Sequence, residues 1–175
     1  MKQTLTFLAC LITTLCSAQT KWEKVEITPN LFVSFPAQPI KSEPANGQKT
    51  FILRSADSTA NYIVAATDLG ILMGIDEATL SAEMEKEESW EQAKSAFMNS
   101  MGPDATLVKS EMTTLQGNKA LKLIIERKNE KGAINTLTAF IFVKGTTTHN
   151  VMFNNRGGLA DEKMKQQFFE SVEIK

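Results

Sequence analysis

From Thr106 to Phe153 the chain alternates apolar and polar residues in four runs, 106–115, 120–127, 134–143 and 147–153. The gaps between them are short and turn-forming: Gln116-Gly117-Asn118, Asn129-Glu130-Lys131-Gly132 and Lys144-Gly145. A period of two puts Leu121, Leu123 and Ile125 on one side of a strand. Turns this short join antiparallel neighbours, because parallel strands need a crossover of about a dozen residues or more. The segment therefore predicts a four-stranded antiparallel meander.

Four further strands precede it. Residues 22–28 place Val25 and Ile27 on one face, and Pro29-Asn30 turns the chain. Leu31, Val33 and Phe35 then alternate with Phe32 and Ser34 up to Pro36. Residues 37–48 hold Pro39, Pro44 and Gly47 among polar residues and read as a loop. Residues 50–55 and 61–68 read as a hairpin about Ala56-Asp57-Ser58-Thr59-Ala60. A helical pattern follows, with Asp76 as N-cap, Leu80 and Met84 four apart, then Trp90, Ala93, Phe97 and Met101. Glu85-Lys86-Glu87-Glu88 interrupts its apolar stripe, so it is one helix with a weak middle or two short ones, ending at Gly102-Pro103. Ala160, Met164 and Phe168 line a last helix, and Val172 and Ile174 sit on a short extended tail. Four strands, helix, four strands, helix predicts an α+β fold, an antiparallel sheet sandwiched by helices.

The first eighteen residues form a separate unit. Lys2, an apolar run from Leu5 to Leu15 and the small residues Ser17-Ala18 read as a signal peptide cut near Ala18-Gln19. That places the protein in the periplasm or outside the cell, with residues 19–175 as a single domain. The apolar run is too short for a membrane span, which takes about 20 residues, and no later segment approaches that length. Both cysteines, Cys10 and Cys16, fall inside the leader. A disulfide, a thiol nucleophile and a cysteine zinc site are thereby excluded from the exported part. Lipidation of Cys16 would turn it into an anchored lipoprotein, but bulky Leu15 precedes that cysteine. With 19 Lys and Arg against 20 Asp and Glu, the balance does not suit a nucleic-acid binder.

Three stretches resemble PsbP-like domains: the Leu31-Phe32-Val33-Ser34-Phe35-Pro36 strand with Pro39 after it, the Leu115-Gln116-Gly117-Asn118-Lys119-Ala120 turn, and the Phe168-Phe169-Glu170-Ser171-Val172 exit from the last helix. The resemblance covers nearly the whole exported part, and most of its positions are packing positions. It implies an α/β/α sandwich. It also implies an accessory or binding role, as in an extrinsic photosystem II subunit, a Ran-binding import factor and many exported bacterial proteins. Metal positions of the photosynthetic members do not carry over, since no histidine cluster matches them.

Candidate sites are few. His149, the only histidine, shares a strand face with Val151 and Phe153 and reads as a sheet histidine with a satisfied ring. No nucleophile elbow, EF-hand loop, phosphate loop or dinucleotide fingerprint is present. Glu83, Glu87 and Glu91 recur one turn apart, a spacing that holds a metal or a sugar but also describes a solvated helix face with Lys86 and Lys94. Asn154-Asn155-Arg156-Gly157-Gly158 could turn amides toward an anion, with Asn154 and Arg156 as contacts, or could be an ordinary strand-to-helix turn. Residues 69–75 are apolar and carry Gly70 and Gly74. Exposed apolar patches are rare, which favours burial of this stretch as a lead-in to the helix. If exposed, Leu69, Ile71, Leu72 and Met73 form a binding patch where the chain leaves the sheet.

The expected protein is an exported, non-catalytic monomer with no cofactor and no metal, binding an envelope protein or assisting an assembly. A carrier of a small apolar ligand is the alternative, and a hydrolase with an unmarked site ranks below both. An open patch near Leu72 separates the first from the second, which needs an apolar pocket between sheet and helix.

Overall fold

The computed structural model describes residues 22–44 and 47–175; the expected signal peptide and both cysteines lie outside the described residues. Two antiparallel sheets form the body. The strands are β1 (Glu23–Thr28), β2 (Leu31–Phe35), β3 (Ile40–Ser42), β4 (Gln48–Arg54), β5 (Ala60–Asp68), β6 (Ala105–Leu115), β7 (Asn118–Lys128), β8 (Ile134–Lys144), β9 (Thr147–Asn155) and β10 (Glu173–Ile174). The helices are α1 (Leu69–Met73), α2 (Glu77–Met84), α3 (Glu87–Met101) and α4 (Glu162–Glu170). The large sheet runs β3-β4-β5-β9-β8-β7-β6 and the small one β1-β2-β10.

The meander is present as the alternation requires. Leu121, Leu123 and Ile125 of β7 point to one face with Ala139 and Ile141 of β8 and Met152 of β9. Trp90 of α3 is buried on that face, with Met84, Phe97, Met98 and Met101 around it. The opposite face carries Tyr62, Val64, Phe142, Val151 and Phe153. It is covered by Leu31, Val33 and Phe35 of β2 and by Phe168 of α4. The α+β class holds, but the sandwich differs from the expected one: helices close one face, and a second sheet together with α4 closes the other.

Three local features have physical causes. Ile40–Ser42, inside the expected loop, forms β3 by pairing with β4, although Ile40 is solvent-exposed. The long helical pattern is two helices. Met84 carbonyl, at the end of α2, accepts the Trp90 indole N–H at 2.7 Å and the Lys119 ammonium at 3.2 Å, which fixes the bend at Glu85-Lys86. The extended tail becomes β10, pairing Glu173 with Phe32 and Ile174 with Leu31. No helix among the described residues is long and apolar enough to cross a membrane.

Candidate functional site

Residues 69–75 are not the buried lead-in that composition favours. Leu69–Met73 forms α1, a five-residue helix with no buried residue. Ile71 is 70% exposed, Leu72 53% and Met73 64%. The knuckle is nevertheless held at both ends. Asp68 Oδ1 accepts from the Ile71 amide at 3.2 Å and from the Thr146 hydroxyl at 3.0 Å. The Leu69 amide donates to the Thr146 carbonyl at 2.9 Å. At the far end Gly74 adopts φ 68° and its amide closes on the Gly70 carbonyl. A left-handed residue at this position is the usual glycine helix stop. Local bonds thus hold the backbone where burial does not, and the apolar side chains face outward.

A cleft of about 490 Å³ opens beside the knuckle, between Ile71, Thr28, Lys49, Ala66 and Thr147. Lys49 is paired with Glu43 at 3.1 Å on its rim. Thr28 Oγ1 is buried there without a hydrogen-bond partner.

Asn154 and Arg156 are not brought to this place. They lie at the other end of β9, where Asn154 pairs with Asn61 and the Arg156 amide donates to the Thr59 carbonyl. The Gly157 amide donates to Asn135 Oδ1 at 2.9 Å and the Ala160 amide to Asn155 Oδ1 at 3.0 Å. These bonds spend the Gly157 and Ala160 amides on side chains of the fold, as in an ordinary strand-to-helix turn.

His149 also departs from expectation. It is 1% exposed, and neither ring nitrogen has a hydrogen-bond partner. Burial pushes its pKa down to about 4, so it is neutral at pH 7. Glu83 and Glu91 are ion-paired with Lys86 and Lys94 on exposed helix surface. No group of three or more His, Cys, Asp or Glu among the described residues could hold a metal.

One further cavity, of about 410 Å³, was not legible in the sequence because its walls come from separate segments. Pro36 follows β2, Leu53 and Arg54 end β4, Tyr62 belongs to β5, and Ala160 and Met164 come from α4 and its approach.

No protein-family profile matches the chain, and no curated protein matches its sequence. Solved structures do match. A protein from Bacteroides thetaiotaomicron aligns over 86% of this chain at 15% identity with a TM-score of 0.45, and this chain spans only 47% of that one. A Pseudomonas aeruginosa protein of unknown function, a putative regulator, aligns over 77% of this chain and 83% of its own at 12% identity and TM-score 0.40. Cyanobacterial PsbP from Synechocystis aligns over 89% of this chain and 94% of its own, at 11% identity and TM-score 0.57. At that identity the likeness concerns architecture alone: the chain has an α+β fold similar to that of cyanobacterial PsbP.

Proposed function

We propose that this chain is an exported, non-catalytic binding protein of the cell envelope that docks a protein partner on the α1 knuckle. The observation that carries the reading is the exposure of three consecutive large apolar side chains, Ile71, Leu72 and Met73, on a backbone tied down by Asp68, Thr146 and Gly74. Large apolar side chains exposed together mark interaction sites in soluble proteins. A site pre-shaped by its own hydrogen bonds also loses less conformational freedom on binding. The buried, unpartnered ring of His149 supports a non-catalytic role, since a general base must come within reach of the proton it takes.

The test is capture from an envelope extract with the chain and with Leu72→Ser. Recovery of the partner should fall at least tenfold, while the melting temperature stays within about 3 °C, because little buried area is lost at an exposed site. Equal recovery with both proteins, or early unfolding of Leu72→Ser, would remove the knuckle from the interface.

A further inference from the structure

The large sheet ends at β3 on one side and at β6 on the other. An end strand leaves half of its backbone amides and carbonyls without a ladder partner, and natural sheets blunt such edges with short or charged strands. β3 is only three residues long, but β6 runs for eleven and exposes Val108 and Met112. A bulge at Val108 breaks the register with β7 and leaves residues 109–115 as the regular part of the edge. Ser110 and Met112 pair with Leu123 and Leu121, so they lie on the face that α3 covers. Lys109 and Glu111 lie on the opposite face, where Glu111 is paired with Lys109 at 2.6 Å and with Lys122 at 3.5 Å.

A groove of about 310 Å³ runs along this edge, between β6 and the start of α3. Trp90 and Leu121, both buried, close its floor, and the exposed side chain of Met112 forms an apolar wall. Glu85, Glu87 and Glu91 stand on its helical side. Lys119 is the one ammonium among the described residues that lines it, and that head is already engaged. It donates to the Met84 carbonyl at 3.2 Å, pairs with Glu85 at 3.5 Å and sits 5.8 Å from the centre of the Trp90 ring. Glu91 pairs with Lys94 along the helix. Glu87 has no hydrogen-bond or ion-pair partner among the described residues. Unmade backbone bonds, apolar surface and uncompensated negative charge therefore lie side by side.

We propose that β6 and this groove receive an extended segment of a partner protein that carries Arg or Lys at every second position. Its backbone adds a strand beside residues 109–115. Its basic side chains lie on the α3 side, with stems across Met112 and heads toward Glu87 and Glu91. Alternate residues of a strand share one face, so one register delivers all of them to the groove. Long basic side chains suit the place because their stems cover apolar surface while the charge stays at the rim. A second copy of this chain fits it worse. Pairing β6 with β6 about a twofold axis sets Glu87 and Glu91 of both copies on the same face of the joined sheet, like charge against like. The surface is independent of the α1 knuckle, since β6 lies four strands from β5, about 19 Å across the sheet.

The probe is the capped, fluorescently labelled heptapeptide Thr-Arg-Val-Arg-Thr-Arg-Val, titrated against the purified chain and read by anisotropy. It should bind saturably at one site, and the same peptide with Glu for Arg should bind at least about tenfold more weakly. Two further versions are N-methylated at the odd or at the even amides. One should bind and the other should not, because a strand turns alternate amides toward one neighbour. Bound peptide should slow hydrogen exchange at alternate amides of residues 109–115 and leave β3 unchanged. Glu87→Gln combined with Glu91→Gln should weaken binding about fivefold, with the melting temperature within about 3 °C, since both side chains are exposed. The proposal is overturned if the peptide does not saturate, if its Glu version binds as tightly, or if the double variant binds as the native chain does. It is also overturned if both or neither of the N-methylated peptides bind, or if protection appears at β3 or α1 instead. A chain that sediments as a dimer with its β6 amides protected would give the edge to a second copy and overturn the proposal too. None of these outcomes depends on capture of a partner by α1.

Discussion

His149 stacks on Phe142, centroid to centroid 5.0 Å at an interplanar angle of 26°, across the β8–β9 ladder. The contact is aromatic in geometry and leaves both imidazole nitrogens unbonded. Folding therefore buries a base that water would otherwise protonate below its ordinary pKa of 6.5. Because the native pKa is lowered to about 4, the unfolded chain binds the proton first as pH falls. Stability contributed by the neutral ring is complete above pH 6.5 and is lost progressively from there to pH 4. The expected loss is about 3 kcal/mol at about 1.4 kcal/mol per pKa unit. Urea denaturation at a series of pH values measures it. His149→Phe should remove most of that slope while keeping the stack, and an unchanged slope would assign the pH dependence to other groups.

Phe168 anchors α4. It is fully buried and meets Phe35, Tyr62 and Phe153. Met164 and Ala160 pack half-buried around it, Ala160 from the approach to the helix rather than from its first turn. Phe168→Ala should cost about 3–5 kcal/mol in equilibrium unfolding. A cost below about 1 kcal/mol would mean that α4 is not docked on the large sheet.

Asp68 has two duties on one oxygen, the cap of α1 and the tie to Thr146. Asp68→Ala should release the knuckle locally, at a cost of about 1 kcal/mol. Hydrogen exchange should accelerate at the Ile71 and Gly74 amides with little change in the β5 and β9 amides. Acceleration spread evenly over the large sheet would show that Asp68 supports the core rather than the knuckle.

Gln116 lies in the two-residue turn between β6 and β7 with φ 49°, followed by Gly117 at φ 77°. Consecutive left-handed residues are what a tight hairpin demands, and asparagine tolerates the first position better than glutamine. Gln116→Asn should stabilise the chain by about 0.5 kcal/mol in thermal melts. A loss of the same size would show that the weak bond from Gln116 Nε2 to the Glu170 carbonyl, at 3.5 Å, matters more than backbone strain.

Much of the fold was legible because the information is local. Period two along β6 to β9 and glycine turns between them specify a meander without knowledge of anything distant. Pro39 and Pro44 hid β3, a three-residue edge strand whose Ile40 faces water and so leaves no burial signature. The placement of β5 beside β9 was hidden too, because it joins segments about 90 residues apart in register, Tyr62 with Phe153. At the candidate sites, apolar composition alone misjudged Leu72, since three backbone ties rather than burial hold α1. The cavity between β4, β5 and α4 was missed because its walls come from segments far apart in the sequence.

The small sheet sets an order of events on the chain. β2 lies between β1, its hairpin neighbour, and β10, and the Ser34 amide donates to the Ser171 hydroxyl across 137 positions. During synthesis β1 and β2 are available almost at once, but the ladder beside β2 stays open until residues 162–174 have emerged. Loop closure over that span comes late and contributes little until the large sheet exists to receive it. A nascent chain therefore presents an unpaired strand edge and the uncovered faces of Phe35 and Tyr62 for most of its elongation, until its final turn of helix docks.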